Sequence, residues 1–462
     1  MFSSHKPSGT VAAPKSTPVL QRSMRFTPPT VTASRGIYVT LESGEQVLDA
    51  TAGAAVACLG HGNERVRDAV MRQMDQISYC HSFMFGTQSG EELGKLVIDG
   101  TGGRMSKAVF VSSGSEAVEA AMKMARQYFL EISPPQPQRV HFIARKGSYH
   151  GTTLGGLSLG GHVSRRAAFE PILMPNISRV EPCNEYRGRR EGESVDQYVQ
   201  RLAKELDDEF ERVGPNTVCA FVAEPVVGAA LGAVPSVPGY FAAMRAVCDK
   251  HGALLILDEV MSGMGRTGTL HAWEQEDVVP DLETIGKGLG GGYAPVAGLL
   301  VGHRVVDALD RGSGAFSHGH TYQAHPVACA AAAEVQRIVQ EEDLLKNVRE
   351  MGLLLEKRLR EGLEEHPHVG NIRGRGLFWG IEFVRDKATK QPFEPSLAVA
   401  TKVHETALKP PHNIAIYPGS GTADGTHGDH VLLAPPYTVT ATDVEEIARR
   451  TVNVVNAVFA NL

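Results

Sequence analysis

Apolar positions follow two rhythms along this chain. Ile37 to Leu41 and Gln46 to Ala50 flank the polar quartet Glu42-Ser43-Gly44-Glu45, a pattern that predicts two strands joined by a tight turn. Val66, Val70, Met74 and Ile77 recur every three or four residues, which predicts an amphipathic helix over 63–78. From residue 90 the rhythms alternate and predict helix 90–99, strand 107–112, helix 115–130, strand 139–144, helix 196–213, strand 218–223, helix 238–251 and strand 253–258. Alternation of this kind builds a mainly parallel sheet sandwiched by helices, so the expected fold class is α/β. From about residue 335 a long helix rich in Glu, Leu and Arg leads into Gly376–Phe383, which reads as a strand, and a smaller α+β domain is expected there.

Length supports two lobes, because 462 residues exceed the roughly 250 to 300 at which single cores stop growing. The expected division is an N-terminal arm over 1–34, the first part of the small domain over 35–75, a large domain over 76–334 and the C-terminal small domain over 335–462. A net charge of −6, with no basic stripe, argues against nucleic acid as a partner. Six scattered cysteines without a Cys-x-x-Cys pair fit a reducing compartment, and no apolar run is long enough to span a membrane. A cytoplasmic location is expected. The arm leaves a mitochondrial address open, since Lys6, Lys15, Arg22, Arg25 and Arg35 all precede the first acid, Glu42. Against that, Pro7, Pro14, Pro18, Pro28 and Pro29 would break the helix such an address needs, which favours a disordered or draping arm.

The chemistry gathers at a few points. The apolar strand Leu254–Leu257 runs into Asp258-Glu259-Val260 and then the glycine-rich Ser262–Gly268. An acid at the carboxyl end of a parallel strand can serve a metal, a ribose hydroxyl or a protonated ring nitrogen, or it can simply cap a loop. Further on, Lys287 stands alone between glycines in Gly286-Lys287-Gly288. Bare neighbours let a flat ligand approach, and partial burial makes a lysine a usable nucleophile toward an aldehyde. Val109–Ala121 reads as strand, turn and helix start, where free amides and the hydroxyls of Ser113 and Ser115 offer an anion site, although either serine could be only a helix cap. Lys146–Thr153 places Tyr149 and His150 in a glycine-flanked turn where an aromatic ring could lie on a planar cofactor.

Together, Ser113-Gly114-Ser115-Glu116-Ala117, Tyr149-His150-Gly151, Ala223-Glu224-Pro225, Asp258-Glu259-Val260 with Gly265–Gly268, Lys287, and His318–Tyr322 with His325-Pro326 resemble the class III aminotransferases in order and spacing. These belong to the fold type I enzymes that use pyridoxal 5'-phosphate. The resemblance covers roughly residues 25 to 458. It implies a ping-pong exchange of an amino group between an amine and a keto acid. Lys287 would hold the cofactor as a Schiff base and shuttle the proton, and Asp258 would pair with the ring nitrogen. Ser113, Gly114 and Ser115 would hold the phosphate, joined by Thr321 from a neighbouring subunit. Tyr149 and Val260 would flank the ring, with His150 beside it and Glu224 near the phenolic oxygen. A homodimer with active sites at the interface is also implied.

Substrate identity is where the chain departs from this pattern. Relatives acting on ornithine or 4-aminobutyrate carry a carboxylate-gripping arginine just before Ala434-Pro435-Pro436, and here that position is Leu432. The mobile arginine of the amine:pyruvate relatives has no counterpart in Tyr417–Asp429. Arg373, Arg375, Arg165 and Arg166 remain as candidates, each read first as a structural ion pair.

Three decoys are set aside. Gly286–Gly291 fits the G-x-G-x-x-G template but leads into Gly292-Tyr293-Ala294-Pro295 rather than a helix. Gly156-Leu157-Ser158-Leu159-Gly160 fits the nucleophile elbow of a serine hydrolase, with His427 or His430 as partner, but lacks the strand before and the helix after. His318, His320 and His325 lack an acid or cysteine to complete a metal site. A decarboxylase or aminomutase of the same family is the nearer alternative, because the same lysine and aspartate begin both reactions.

Overall fold

The computed structural model describes residues 17–24 and 26–462. Lys6, Lys15, Arg25, Pro7 and Pro14, on which much of the arm reading rests, lie outside them.

A seven-stranded sheet forms the centre. Its strands are β1 (Met105–Val111), β2 (His141–Arg145), β3 (Ile177–Val180), β4 (Val218–Ala223), β5 (Leu254–Asp258), β6 (Leu282–Ile285) and β7 (Ala297–Gly302). They lie in the order β1-β7-β6-β5-β4-β2-β3. All neighbours are parallel except β7, which is antiparallel to both β6 and β1. Side-chain alternation splits β5 cleanly between the two faces. Leu254 and Ile256 pack under α1 (Gly114–Glu131) with Ala121, Ala125 and Phe142. Leu255 and Leu257 pack on the opposite side with Trp273 and with Leu202, Leu206 and Phe210 of the helix Val195–Val213.

The strands β6 and β7 escape the sequence rhythm for a physical reason. They are as fully buried as β4 and β5, which the sequence does show, but β6 is four residues with the polar Glu283 and Thr284 at its centre, and glycines at 298 and 302 interrupt the apolar run of β7. The helix expected from 335 is two helices, α2 (Pro326–Glu341) and Leu344–Leu363, broken where Asp343 takes a φ of +48°.

Two smaller four-stranded sheets flank the large one. In the first, Val31–Arg35, Tyr38–Leu41 and Gln46–Asp49 form a meander joined by Ile414–Ala415, so part of the stretch read as arm is already strand. The second is antiparallel, built from Val369–Arg375, Phe378–Phe383, Asp429–Leu433 and Tyr417–Ser420. One apolar cluster ties Ile37, Leu48 and Val66 to residues from Ala331 to Val458. Among the described residues no helix is long and apolar enough to cross a membrane.

Candidate active site

Four loops meet at the carboxyl edge of the large sheet. β5 ends on Asp258, which pairs in register with Thr284 of β6. β6 then delivers Gly286 and Lys287 directly into the same place. The turn after β2 brings Tyr149 and His150, and β4 leads into Glu224.

Asp258 is buried and fully engaged. The His150 ring nitrogen Nδ1 lies 2.8 Å from Oδ2, while the Thr284 hydroxyl donates to Oδ1 at 3.0 Å and the Val260 amide at 3.1 Å. Burial alone would raise its pKa. The hydrogen bond and charge of His150, with the Val260 amide and the nearby Lys287 charge, reverse that and hold the carboxyl below its usual range. An ionised Asp258 accepts only, so Nδ1 of His150 is the donor. The other ring nitrogen, Nε2, is buried without a partner. Glu224 contrasts with it. Its two oxygens accept the Tyr149 amide at 3.1 Å and the Gly228 amide at 3.0 Å, yet burial raises its pKa and the Asp258 charge adds to the rise.

Lys287 occupies a turn that strains it. Its φ is +44°, a left-handed conformation unusual for a side-chain-bearing residue. The turn is pinned from behind by α2, whose Gln336 amide donates to the carbonyls of Gly288 and Leu289 at 3.0 and 2.8 Å. Burial lowers the lysine's pKa against the charges of Asp258 and Glu224, both close enough to act on it. A more neutral amine results.

Val260 wedges between two glycines. A Cβ on Gly114 would meet its Cγ1 at 2.7 Å, and one on Gly286 would meet it at 3.2 Å, so bare backbone on both sides lets the valine reach the lysine turn. At the start of α1, Ser113 is a helix cap, its hydroxyl accepting the Glu116 amide at 3.3 Å. Ser115 instead turns to the Tyr149 loop and accepts the Thr152 amide at 3.0 Å. The amides of Gly114 and Ser115 have no partner among the described residues, which leaves an electropositive helix end open toward Val260. These features suit a flat, phosphorylated aldehyde: a free anion cradle, an ionised acid with an orphaned imidazole nitrogen beside it, and a half-buried amine.

Tyr149 packs over Val227, Ala230, Leu231 and Val234, and the Arg165 guanidinium lies 4.6 Å from its ring centroid. Thr321 stands apart. It is exposed, and its carbonyl accepts the Tyr79 hydroxyl at 3.0 Å without any hydrogen bond to the cluster. Thr284 and Gln336 were missed by sequence reasoning, since neither lies in a recognisable motif. Ser158, the hydrolase candidate, sits inside the short helix Leu154–Leu159, where its hydroxyl donates to the Leu154 carbonyl at 2.6 Å and accepts the Met174 amide at 2.9 Å. It is not poised as a nucleophile. A cavity of about 1300 Å³ lies between the 184–192 segment, the Thr267–Thr269 turn and Arg349–Gly376; Arg373 and Arg375 line it, but Lys287, Asp258, Glu224 and the Ser113–Ser115 turn do not.

The profile of the class III aminotransferases matches residues 20–455. A Gibberella zeae protein described as an aminotransferase is 56% identical over 424 residues, covering 92% of this chain and 83% of its own. Among solved structures, a thermostable (S)-enantioselective omega-transaminase from Thermomicrobium roseum aligns with a TM-score of 0.87 at 33% identity over 94% of each chain. An amine transaminase from an uncultivated Pseudomonas species, solved in its PLP-bound internal aldimine form, aligns with a TM-score of 0.87 at 30% identity over 99% of this chain and 98% of its own. The fold, the clustered motifs and this similarity along nearly the whole length agree, and the chain belongs to the class III aminotransferases.

Proposed function

We propose that the amino-group transfer this enzyme performs, from an amine or amino acid to a keto acid, runs on pyridoxal 5'-phosphate held by Lys287, Asp258 and the turn Ser113–Ser115. The observation that carries the reading is the convergence of a half-buried, pKa-lowered lysine on an aspartate kept ionised by His150. When bound, the cofactor supplies a protonated ring that accepts the electron pair released at the substrate carbon. Asp258 keeps that ring nitrogen protonated through its negative charge. His150 and Thr284 orient the carboxylate, so it does not have to reorganise. The amides of Gly114 and Ser115 hold the phosphate, with the Ser113 and Ser115 hydroxyls at the same turn. Val260 and Tyr149 bound the ring on its two faces, and Glu224, which holds its proton more readily than a free carboxylate, lies toward the phenolic oxygen. Lys287 Nζ, neutral once its proton has left, carries the proton from the substrate carbon.

The same reading extends to assembly. Phe83, Met84 and Phe85 are 88%, 70% and 64% exposed beside Tyr79, an apolar surface that suits a second copy of the chain. In such a homodimer Thr321 would reach the partner's phosphate site. The cluster joining Ile37–Val66 to residues beyond Ala331 supports a small domain made of 35–75 and 335–462 beside the large one over 76–334. Free cysteines at all six positions, five of them buried, fit a reducing cytoplasmic setting.

The test is spectroscopic. Purified protein loaded with the cofactor should be yellow, lose that colour on adding an amine, and regain it with a keto acid. Borohydride should fix the cofactor to Lys287 and to no other lysine; a reduced protein with an unmodified Lys287 would overturn the assignment.

A further inference from the structure

A keto-acid acceptor brings a carboxylate into the site whatever its side chain, and an unpaired carboxylate in a partly desolvated pocket is costly. Some cation has to meet it. Leu432, where relatives carry an arginine, is 1% exposed and packs in a wholly apolar cluster with Ala55, Val226, Ala233 and Phe378. It offers nothing to an anion.

The structure decides between the other arginines. Arg373 is spent on Glu382 at 2.5 Å and on the Gly232 carbonyl at 2.9 Å. Arg375 pairs with Glu276 at 2.5 Å. Arg166 pairs with Glu170 at 2.9 Å while its Nη1 donates to the carbonyls of Leu157, Ser158 and Gly160. Arg165 differs from all three. Its guanidinium makes no hydrogen bond or ion pair among the described residues and lies against the ring of Tyr149. Stacking leaves the rim of a guanidinium, with its five donors, free for a planar anion.

The position suits the role. Tyr149 is half-buried at the mouth of the Lys287 cluster, one residue from the His150 that binds Asp258. His162, on the same short turn, is driven down to about 4 by burial and by Arg165, so it is uncharged at neutral pH and does not compete for the anion. Arg22, on the segment before the first strand, adds a weaker positive field at the same phenol.

We infer that Arg165 receives the carboxylate of the keto-acid acceptor, and of any amino donor that carries one, and so sets the enzyme's preference for anionic substrates. This rests on the transaminase reading above. The residue is a specificity determinant, and it holds the substrate end remote from the bond that breaks.

The experiment compares pyruvate with propanal, which match in length but differ in charge, as acceptors for the aminated enzyme. For Arg165→Ala, kcat/KM for pyruvate should fall about 100-fold, the scale of a bidentate charged hydrogen bond, and at least about 30 times more than for propanal. Arg165→Lys should recover part of the loss, and Arg22→Ala should lose less than Arg165→Ala. An equal fall for both acceptors would mean that Arg165 only supports Tyr149, and it would overturn the inference. No fall, or a larger loss from Arg22→Ala, would overturn it as well. The parent reading fails separately, if wild-type enzyme exchanges no amino group with any acceptor.

Discussion

Asp258 and Glu259 are adjacent acids that serve opposite faces of the same sheet. Asp258 faces the α1 side, where it meets His150, Thr284 and the lysine turn. Glu259 continues the ladder, its amide donating to the Thr284 carbonyl at 2.8 Å, and its side chain enters the core on the Trp273 side. There its oxygens accept the amides of Ala272 and Trp273 at 2.6 and 2.7 Å. Nearby, Glu283 takes the His271 ring at 2.6 Å and the Trp273 indole at 2.8 Å. Burial, with the Glu283 charge adding to it, raises the Glu259 pKa well above the usual range. His271 is raised despite burial, because Glu283 faces it. The group is therefore a hydrogen-bonded His271–Glu283 pair beside a Glu259 that holds its proton more readily than a free carboxylate. Its three side chains lie within reach of one metal ion, but every carboxylate oxygen already has a donor. Each face leaves one imidazole nitrogen without a partner, Nε2 of His271 and Nε2 of His150; the active face differs in also leaving the Gly114 and Ser115 amides and the Lys287 amine open.

Substitutions should separate the two faces, and the largest effect belongs to the open one. Lys287→Ala should lower turnover by more than about 10⁴-fold, since one side chain both anchors the cofactor and moves the proton, and its thermal midpoint without cofactor should match the parent's. Asp258→Asn should reduce kcat by about 10² to 10³-fold with the fold intact, read by steady-state rates and circular dichroism. Glu259→Ala should invert that pattern. It leaves two buried amides without acceptors and should cost about 3 kcal/mol in denaturant unfolding, whereas Glu259→Gln, which keeps one acceptor oxygen and loses the other, should cost less. Gly114→Ala drives a Cβ into Val260 and should weaken cofactor binding about tenfold by equilibrium titration, consistent with the 1 to 3 kcal/mol of an overpacked contact.

The smallest effect sharpens the comparison through pH. Asp258, with its pKa lowered in the folded state, contributes stability that is present above the ordinary aspartate range and lost as pH falls through the depressed value. Glu259, with its pKa raised, contributes stability that is complete below the ordinary glutamate range and lost as pH rises through the elevated value. Melting curves across pH should therefore lose part of their acid-side decline in Asp258→Asn and part of their alkaline-side decline in Glu259→Gln.

Much of this was legible in the chain. Leu254–Asp258 read as a strand because an uninterrupted apolar run ends abruptly in acids, and Lys287 stood out because glycines bracket it. The strands Leu282–Ile285 and Ala297–Gly302 were not legible, because the first is four residues with Glu283 and Thr284 at its centre and the second has its apolar run broken by Gly298 and ended by Gly302. The link between His150 and Asp258 spans 108 positions, and no local pattern records it.

Sequence alone determined the α/β alternation, the glycine-framed lysine and the set of motifs that identify the family, because each is written in neighbouring residues. Tertiary structure decided the rest: which of two adjacent acids enters the site, which histidine holds it, and which of four arginines keeps its hydrogen bonds free. Those outcomes depend on whether distant segments supply a partner. Burial and hydrogen-bond satisfaction are set only when the chain has packed.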